Sequence, residues 1–209
     1  MASGIVVVGA SWGGLQALTA LVGGFPKEFP LPLVLIQHRS KDSTGALAEL
    51  LQDASKLCVC EVEDKAPVVP GHVHIAPPDY HLLIDGGFFA LTTEAPYRYS
   101  RPSIDITFES AAFAYGKATI GVVLTGANQD GSDGLRRIVS LGGTAIIQDP
   151  ATAESPTMPK AALAAVPTAT VLPIDGIASH LVKLVAKRLA GERSTGERPS
   201  PDRTMGRSA

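Results

Sequence analysis

Cysteine is nearly missing: only Cys58 and Cys60 carry thiols, as a C-x-C inside an apolar, strand-like run. A disulfide between them is not expected, and two such ligands are too few for a zinc site. The pattern fits a reducing, cytoplasmic compartment and not a disulfide-stapled secreted domain. Aromatic residues are scarce at 5%, whereas glycine is abundant at 21 residues, which favours close backbone packing over large aromatic anchors. Charge of one sign is also lacking. Eighteen Lys and Arg stand against twenty Asp and Glu, a net of -2, so there is no global basic field to hold nucleic acid or an anionic membrane. No apolar run approaches the roughly 20 residues of a membrane span. Met1-Ala2-Ser3-Gly4 lacks the basic start of a signal peptide, and the apolar run from Ile5 to Gly9 is too short for its core.

What is present is enough for one domain. At about 150 residues per domain, 209 residues make a single unit with some chain to spare. With 45% hydrophobic and 18% charged residues, wholesale disorder is excluded. Ile5-Val6-Val7-Val8 is an uninterrupted β-branched run closed by Gly9-Ala10-Ser11-Trp12-Gly13-Gly14, and residues 15–22 follow at helical spacing. Leu33-Val34-Leu35-Ile36 repeats the pattern, ending in Gln37-His38, with a helix predicted over residues 46–52. Continuous apolar strands alternating with helices indicate a doubly wound, mostly parallel α/β sheet covered on both faces. The middle differs. Strands are predicted over 57–62 and, broken by prolines, over 67–78, while 81–84 and 88–92 flank Asp85-Gly86-Gly87 as a small antiparallel hairpin. Helices are predicted over 103–115, 135–140, 160–165 and 177–190, with strands over 119–124, 144–148 and 170–172. Residues 1–190 thus form the domain. From Gly191 to Ala209 only Met205 and Ala209 are apolar, and this segment is expected to be a disordered tail.

The first chemical candidate is Gly9-Ala10-Ser11-Trp12-Gly13, a G-x-S-x-G between a buried strand and a helix. Such a turn projects a serine hydroxyl clear of the sheet, at a helix N-terminus where developing negative charge is favoured. A plain glycine-rich turn and a phosphate cradle compete with this reading. A dinucleotide site does not fit: serine stands where the fingerprint needs its middle glycine, and the nearest acidic residue downstream, Glu28, lies in a proline-flanked loop. Serine needs a base. Of five histidines, His180 reads as a surface residue, and His72, His74 and His81 as structural ones. His38 ends the second parallel strand, and ligands of such sheets bind at the carboxyl ends of strands. A third strand delivers Thr125-Gly126-Ala127-Asn128-Gln129-Asp130-Gly131-Ser132-Asp133-Gly134 to the same edge. Asp130 or Asp133 could orient the imidazole or cap the next helix, and the backbone at Gly126-Ala127 could supply an oxyanion donor. The spacing does not match a calcium loop. The chain order Ser, His, Asp also differs from that of α/β-hydrolases.

Several spaced motifs occur together: Val8-Gly9-Ala10-Ser11-Trp12-Gly13-Gly14, Gln37-His38, His74-Ile75-Ala76-Pro77, Arg101-Pro102-Ser103-Ile104-Asp105, Leu124 to Gly131, Gln148-Asp149-Pro150 and Met158-Pro159. In this order, over about residues 5–190, they resemble the catalytic domain of the chemotaxis protein-glutamate methylesterases, the CheB family. The resemblance implies a Ser-His-Asp triad of Ser11, His38 and Asp130, an oxyanion hole from the backbone N–H groups of Trp12 and Ala127, and neither metal nor cofactor. It implies as substrates γ-glutamyl methyl esters on the cytoplasmic helices of chemoreceptors, or on a receptor-like protein, with methanol released through an acyl-enzyme. Some members also deamidate glutamines. Two other readings stay open: a serine esterase or amidase with other substrates, and an inert binding module in a chemosensory-like system.

Three departures from the family pattern stand out. No receiver domain precedes the catalytic part, so activity independent of aspartyl phosphorylation is expected. Ala127 replaces the usual methionine, which keeps the N–H and removes a bulky wall. Arg39-Ser40 follows Gln37-His38 in place of the common Met-Pro, and Trp12 flanks the nucleophile. The last two changes bear on the partner surface and not on the reaction.

Overall fold

Aliphatic runs without polar interruption make stable strands only where both sheet faces can be covered. The computed structural model describes residues 3–41 and 46–196. In chain order these form β1 (Ile5–Ala10), α1 (Gly14–Gly23), β2 (Leu33–Gln37), α2 (Ala46–Ala54), β3 (Cys58–Glu61), β4 (His72–Ile75), β5 (His81–Asp85), β6 (Phe88–Thr92) and α3 (Ile104–Tyr115). A short 3-10 turn, Gly116–Ala118, leads to β7 (Thr119–Val123), α4 (Ser132–Ser140), β8 (Thr144–Gln148), α5 (Thr157–Ala165), β9 (Thr170–Leu172) and α6 (Ile174–Gly196). Among the described residues, seven strands pair in the order β3-β4-β2-β1-β7-β8-β9, and β5-β6 is a separate hairpin. Every pair in the large sheet is parallel, and only the hairpin is antiparallel.

The two-residue period of a strand sorts the core into two layers. Val6, Val8 and Ala10 face Leu18 and Leu21 of α1, Leu51 of α2 and Leu181 of α6. Ile5 and Val7 face the opposite layer, with Ile104 and Phe108 of α3, Leu135 of α4, Met158 of α5 and the hairpin residues Leu82 and Phe89. Each such fully buried side chain contributes on the order of 2 kcal/mol of transfer free energy. The doubly wound sheet with its small hairpin is the predicted architecture. The chain runs from β1 to β2, on to the edge strand β3, back to β4 between β3 and β2, and then crosses to β7 on the other side of β1. That reversal opens a crevice at the carboxyl ends of β1 and β7, the place where such sheets bind ligands.

Several boundaries move. α4 begins at Ser132 and not at 135, because Gly134 lies inside the helix: a Cβ there would come within 2.6 Å of Phe108 Cβ. α5 begins at Thr157, with Pro159 tolerated in the first turn. The prolines confine β4 to four residues, and Pro67 bridges Phe88 instead of joining the sheet. α6 starts at Ile174 and runs to Gly196, so the first six residues of the polar tail segment continue the helix. Extending an existing helix fixes one residue per hydrogen bond and needs no core of its own. The remainder of the expected disordered tail, residues 197–209, lies outside the described residues. Cys58 and Cys60 are free thiols two apart on β3, on the same face. Among the described residues, no helix is long and apolar enough to cross a membrane.

Candidate active site

β1 ends at Ala10, and the chain turns at once into α1. Gly13 makes the turn possible, capping the helix at φ +75, a left-handed conformation that side chains with a Cβ rarely adopt. Ser11 sits on this turn, half-buried, with its N–H donating to Thr125 O (3.0 Å) and its carbonyl accepting from Gly14 N (2.9 Å). Gly126, on the loop after β7, packs directly against it. A Cβ at Gly126 would collide with Met158 Sδ and lie 3.0 Å from Ser11 Cβ. The backbone N–H groups of Trp12 and Ala127 make no hydrogen bond among the described residues. Trp12 itself is 67% exposed at the rim.

Gln37 joins the ends of β1 and β2, its Nε2 donating to Ser11 O and His38 O, both at 2.9 Å. The next residue, His38, donates its backbone N–H to Ala10 O (3.1 Å) and points its imidazole toward the β7–α4 loop. There His38 Nε2 donates to Asp130 Oδ2 at 2.8 Å. With the proton on Nε2, Nδ1 is the basic nitrogen. Nδ1 is already occupied: Asn128 Nδ2 donates to it at 3.2 Å, and Ser100 Oγ lies 3.5 Å away. Asn128 is held in that position because its Oδ1 accepts the Asp130 N–H (3.1 Å). Ser11 and His38 therefore share one strand-end rim, yet no hydrogen bond joins Ser11 Oγ to the imidazole among the described residues.

Asp130 is buried and has four donors. Oδ2 accepts from His38 and from Ile104 N (2.7 Å), and Oδ1 accepts from Ser103 Oγ and Asp105 N, both at 3.0 Å. Three of these donors belong to the N-terminus of α3, where the helix dipole favours an anion. Burial alone would raise the Asp130 carboxyl. The hydrogen bonds and charge of His38, together with the Asp105 and Ile104 N–H groups, outweigh it and hold the carboxyl below its ordinary range. His81 braces the same helix end, its Nδ1 accepting from Ser103 N (3.2 Å) while its Nε2 donates to Ala95 O (3.1 Å).

Asp105 caps the neighbouring helix in return, Oδ1 accepting from Gly131 N (2.9 Å) and Gly134 N (2.7 Å). Its Oδ2 is buried without a hydrogen bond, 3.9 Å from Arg98 Nη1. Burial, reinforced by the nearby Asp130 charge against the pull of the Gly134 N–H and Arg98, pushes the Asp105 carboxyl up to about 6. Asp133, the alternative orienter, instead lies in the first turn of α4, ion-paired with Arg98 and with Arg136. His72 and His74 stay outside the site: His72 bonds Pro70 O, and His74 lies between Cys60 and Val69. Among the described residues, no three His, Cys, Asp or Glu side chains are grouped to hold a metal ion. Asn128, Ser100 and Gln37 are the site residues that the sequence reading did not single out. An Asn two residues before Asp130 is a local turn signal, but nothing in the sequence aims its amide at His38.

The family profile described as CheB methylesterase matches residues 6–181. A relative from Leptospira interrogans, provisionally named protein-glutamate methylesterase/protein-glutamine glutaminase, is 39% identical over 180 residues, covering 86% of this chain and 93% of that one. The Thermotoga maritima protein-glutamate methylesterase/protein-glutamine glutaminase is 38% identical over 185 residues, covering 87% of this chain and 54% of its own. A second such enzyme from Anaeromyxobacter dehalogenans is 40% identical, with 86% of this chain and 53% of its own length covered. The crystal structure of the Thermotoga maritima CheB methylesterase catalytic domain superposes with a TM-score of 0.83 at 38% identity, covering 87% of this chain and 98% of that one. The chain belongs to the CheB methylesterase family, a family of carboxylic ester hydrolases.

Proposed function

We propose that this protein hydrolyses γ-glutamyl methyl esters on the cytoplasmic helices of methylated chemoreceptors, working in the cytoplasm with Ser11 as nucleophile, His38 as base and acid, and Asp130 as orienter. The observation that carries the reading is the His38–Asp130 pair beside Ser11. A carboxylate held as an anion by four donors fixes the proton on Nε2 and leaves Nδ1 to act on the serine hydroxyl. Nδ1 first exchanges the Asn128 amide for Ser11 Oγ. It then takes the hydroxyl proton as Oγ bonds to the ester carbonyl carbon. The carbonyl oxygen becomes an oxyanion facing the Trp12 and Ala127 N–H groups. As the carbon–methoxy bond breaks, the imidazolium returns the proton and methanol leaves. Water repeats the sequence on the acyl-enzyme, releasing the glutamate carboxylate and free Ser11.

General base help is worth about 10²–10⁴ in rate, and each oxyanion donor about 3 kcal/mol. The same acyl-enzyme forms from a glutamine side chain with ammonia leaving, and the paired names of the relatives favour that second activity. The test is methanol release from a methyl-esterified receptor cytoplasmic fragment, run beside simple nitrophenyl esters. Wild-type protein releases methanol from the receptor fragment, and Ser11→Ala, a turn residue outside the core, folds normally and loses at least ~10³-fold. A variant that keeps more than a few per cent of the wild-type rate contradicts the assignment, and turnover of nitrophenyl esters alone points to a different substrate.

A further inference from the structure

Arg39, next to His38, is an unusual side chain for an enzyme rim. Its side chain is only 8% exposed. One nitrogen, Nη2, donates to Glu61 Oε2 (2.5 Å) and Ala76 O (2.9 Å). The other two, Nε and Nη1, are buried without a partner among the described residues. Unpaired donors of a buried guanidinium are destabilising unless something accepts from them. Arg39 and His38 together line a cleft of about 460 Å³, with Lys41, Arg101 and Asp79 further along it. Arg101 donates to Asp79 (2.5 Å). Among the described residues Arg39 is paired with Glu61, Arg101 with Asp79, and the Asp130 carboxylate stands behind His38, so the cleft's contribution to anion binding comes from the two unpartnered Arg39 nitrogens and from Lys41, exposed at its mouth.

We propose that this cleft is a subsite for a carboxylate side chain of an acidic peptide, presented beside the residue under attack, with Arg39 as its main donor and Lys41 at its mouth. The inference rests on the methylesterase reading for the identity of the reacting group, but its own content is separate: the protein selects an acidic neighbour next to the ester. Guanidinium donors favour carboxylates over neutral carbonyls through charge-assisted hydrogen bonds, and a like-signed neighbour would be repelled.

Two glutamyl methyl ester peptides of equal length, one with glutamates flanking the ester and one with glutamines there, test this. The wild type prefers the acidic peptide by about tenfold or more in kcat/KM, the scale of one charge-assisted bond, and the preference shrinks as salt is added. Arg39→Met lowers the ratio toward one. Because Arg39 also holds Glu61 and Ala76, Lys41→Gln at the exposed mouth gives an independent check and lowers the ratio by a smaller factor. Equal kcat/KM for the two peptides in the wild type, or a ratio that neither variant changes, overturns the subsite. Hydrolysis of neither peptide contradicts the methylesterase reading instead. In that case the subsite is judged by fluorophosphonate labelling of Ser11: an unesterified acidic peptide slows labelling more than its glutamine counterpart in the wild type and not in Arg39→Met, and equal slowing overturns it.

Discussion

At the scale of single residues, the site is set by which atom holds which proton. Asp130 takes the Nε2 proton of His38, so the working nitrogen is Nδ1, and Asn128 rests on it. Asn128 therefore competes with Ser11 for one lone pair. Asn128→Ala removes that competitor and keeps the His38–Asp130 side-chain bond, giving up only the Asn128 acceptor of the Asp130 N–H, and labelling of Ser11 by a fluorophosphonate should speed up about fivefold, the worth of one ordinary hydrogen bond of ~1 kcal/mol. A slower reaction in the variant shows that the amide supports the imidazole more than it blocks it. The roles of Ser11, His38 and Asp130 could be suggested from the sequence because each closes a strand or follows one within a few residues, and strand ends fall on one edge of a parallel sheet. Asn128 and Ser100 could not. Their roles depend on where two side chains from separate loops point, and composition or spacing carries no trace of that.

At the scale of elements, two helices cap each other across the site. The N-terminus of α3 presents Ser103 Oγ and the N–H groups of Ile104 and Asp105 to Asp130, and Asp105 returns the contact to α4 through Gly131 and Gly134. The two carboxylates pull stability in opposite directions with pH. Asp130, held below its ordinary range, contributes stability above the unfolded carboxyl range, and this is lost as pH falls through its folded value. Asp105 titrates near 6 when folded against an ordinary 3.8, so its ionisation destabilises the fold as pH rises through that interval. Asparagine at 105 keeps the Oδ1 acceptor and cannot ionise. Relative to wild type, Asp105→Asn should gain up to ~3 kcal/mol of stability between about pH 4 and about pH 7, the worth of roughly two pKa units. Denaturant melts at the two pH values check it, and a constant difference contradicts it. The strands were the most legible elements, since Ile5 to Val8 and Leu33 to Ile36 have no polar interruption and can only be central. Helix starts were less so. Gly134 and Pro159 read as breakers, yet both lie inside helices, one because it must pass close to Phe108 and the other because the first turn has no N–H to lose.

At the scale of the whole molecule, the reversal between β1 and β7 decides where chemistry happens. Ser11, His38 and the Asp130 loop follow β1, β2 and β7, three adjacent strands, and nothing nearer in sequence would bring them together. The sheet covered on both faces was readable in advance, because alternating strand and helix signals admit few arrangements; the reciprocal capping was not, since it joins residues 25 to 29 apart. The central claim is that this rim forms a covalent acyl-enzyme at the serine. Acid-quenched intact-mass and peptide-mapping analysis during turnover of a glutamyl methyl ester peptide tests it most directly. The account predicts a transient adduct equal in mass to the peptide less methanol, on Ser11 and absent from Ser11→Ala; turnover with no adduct at any time, or an adduct on another residue, would contradict it.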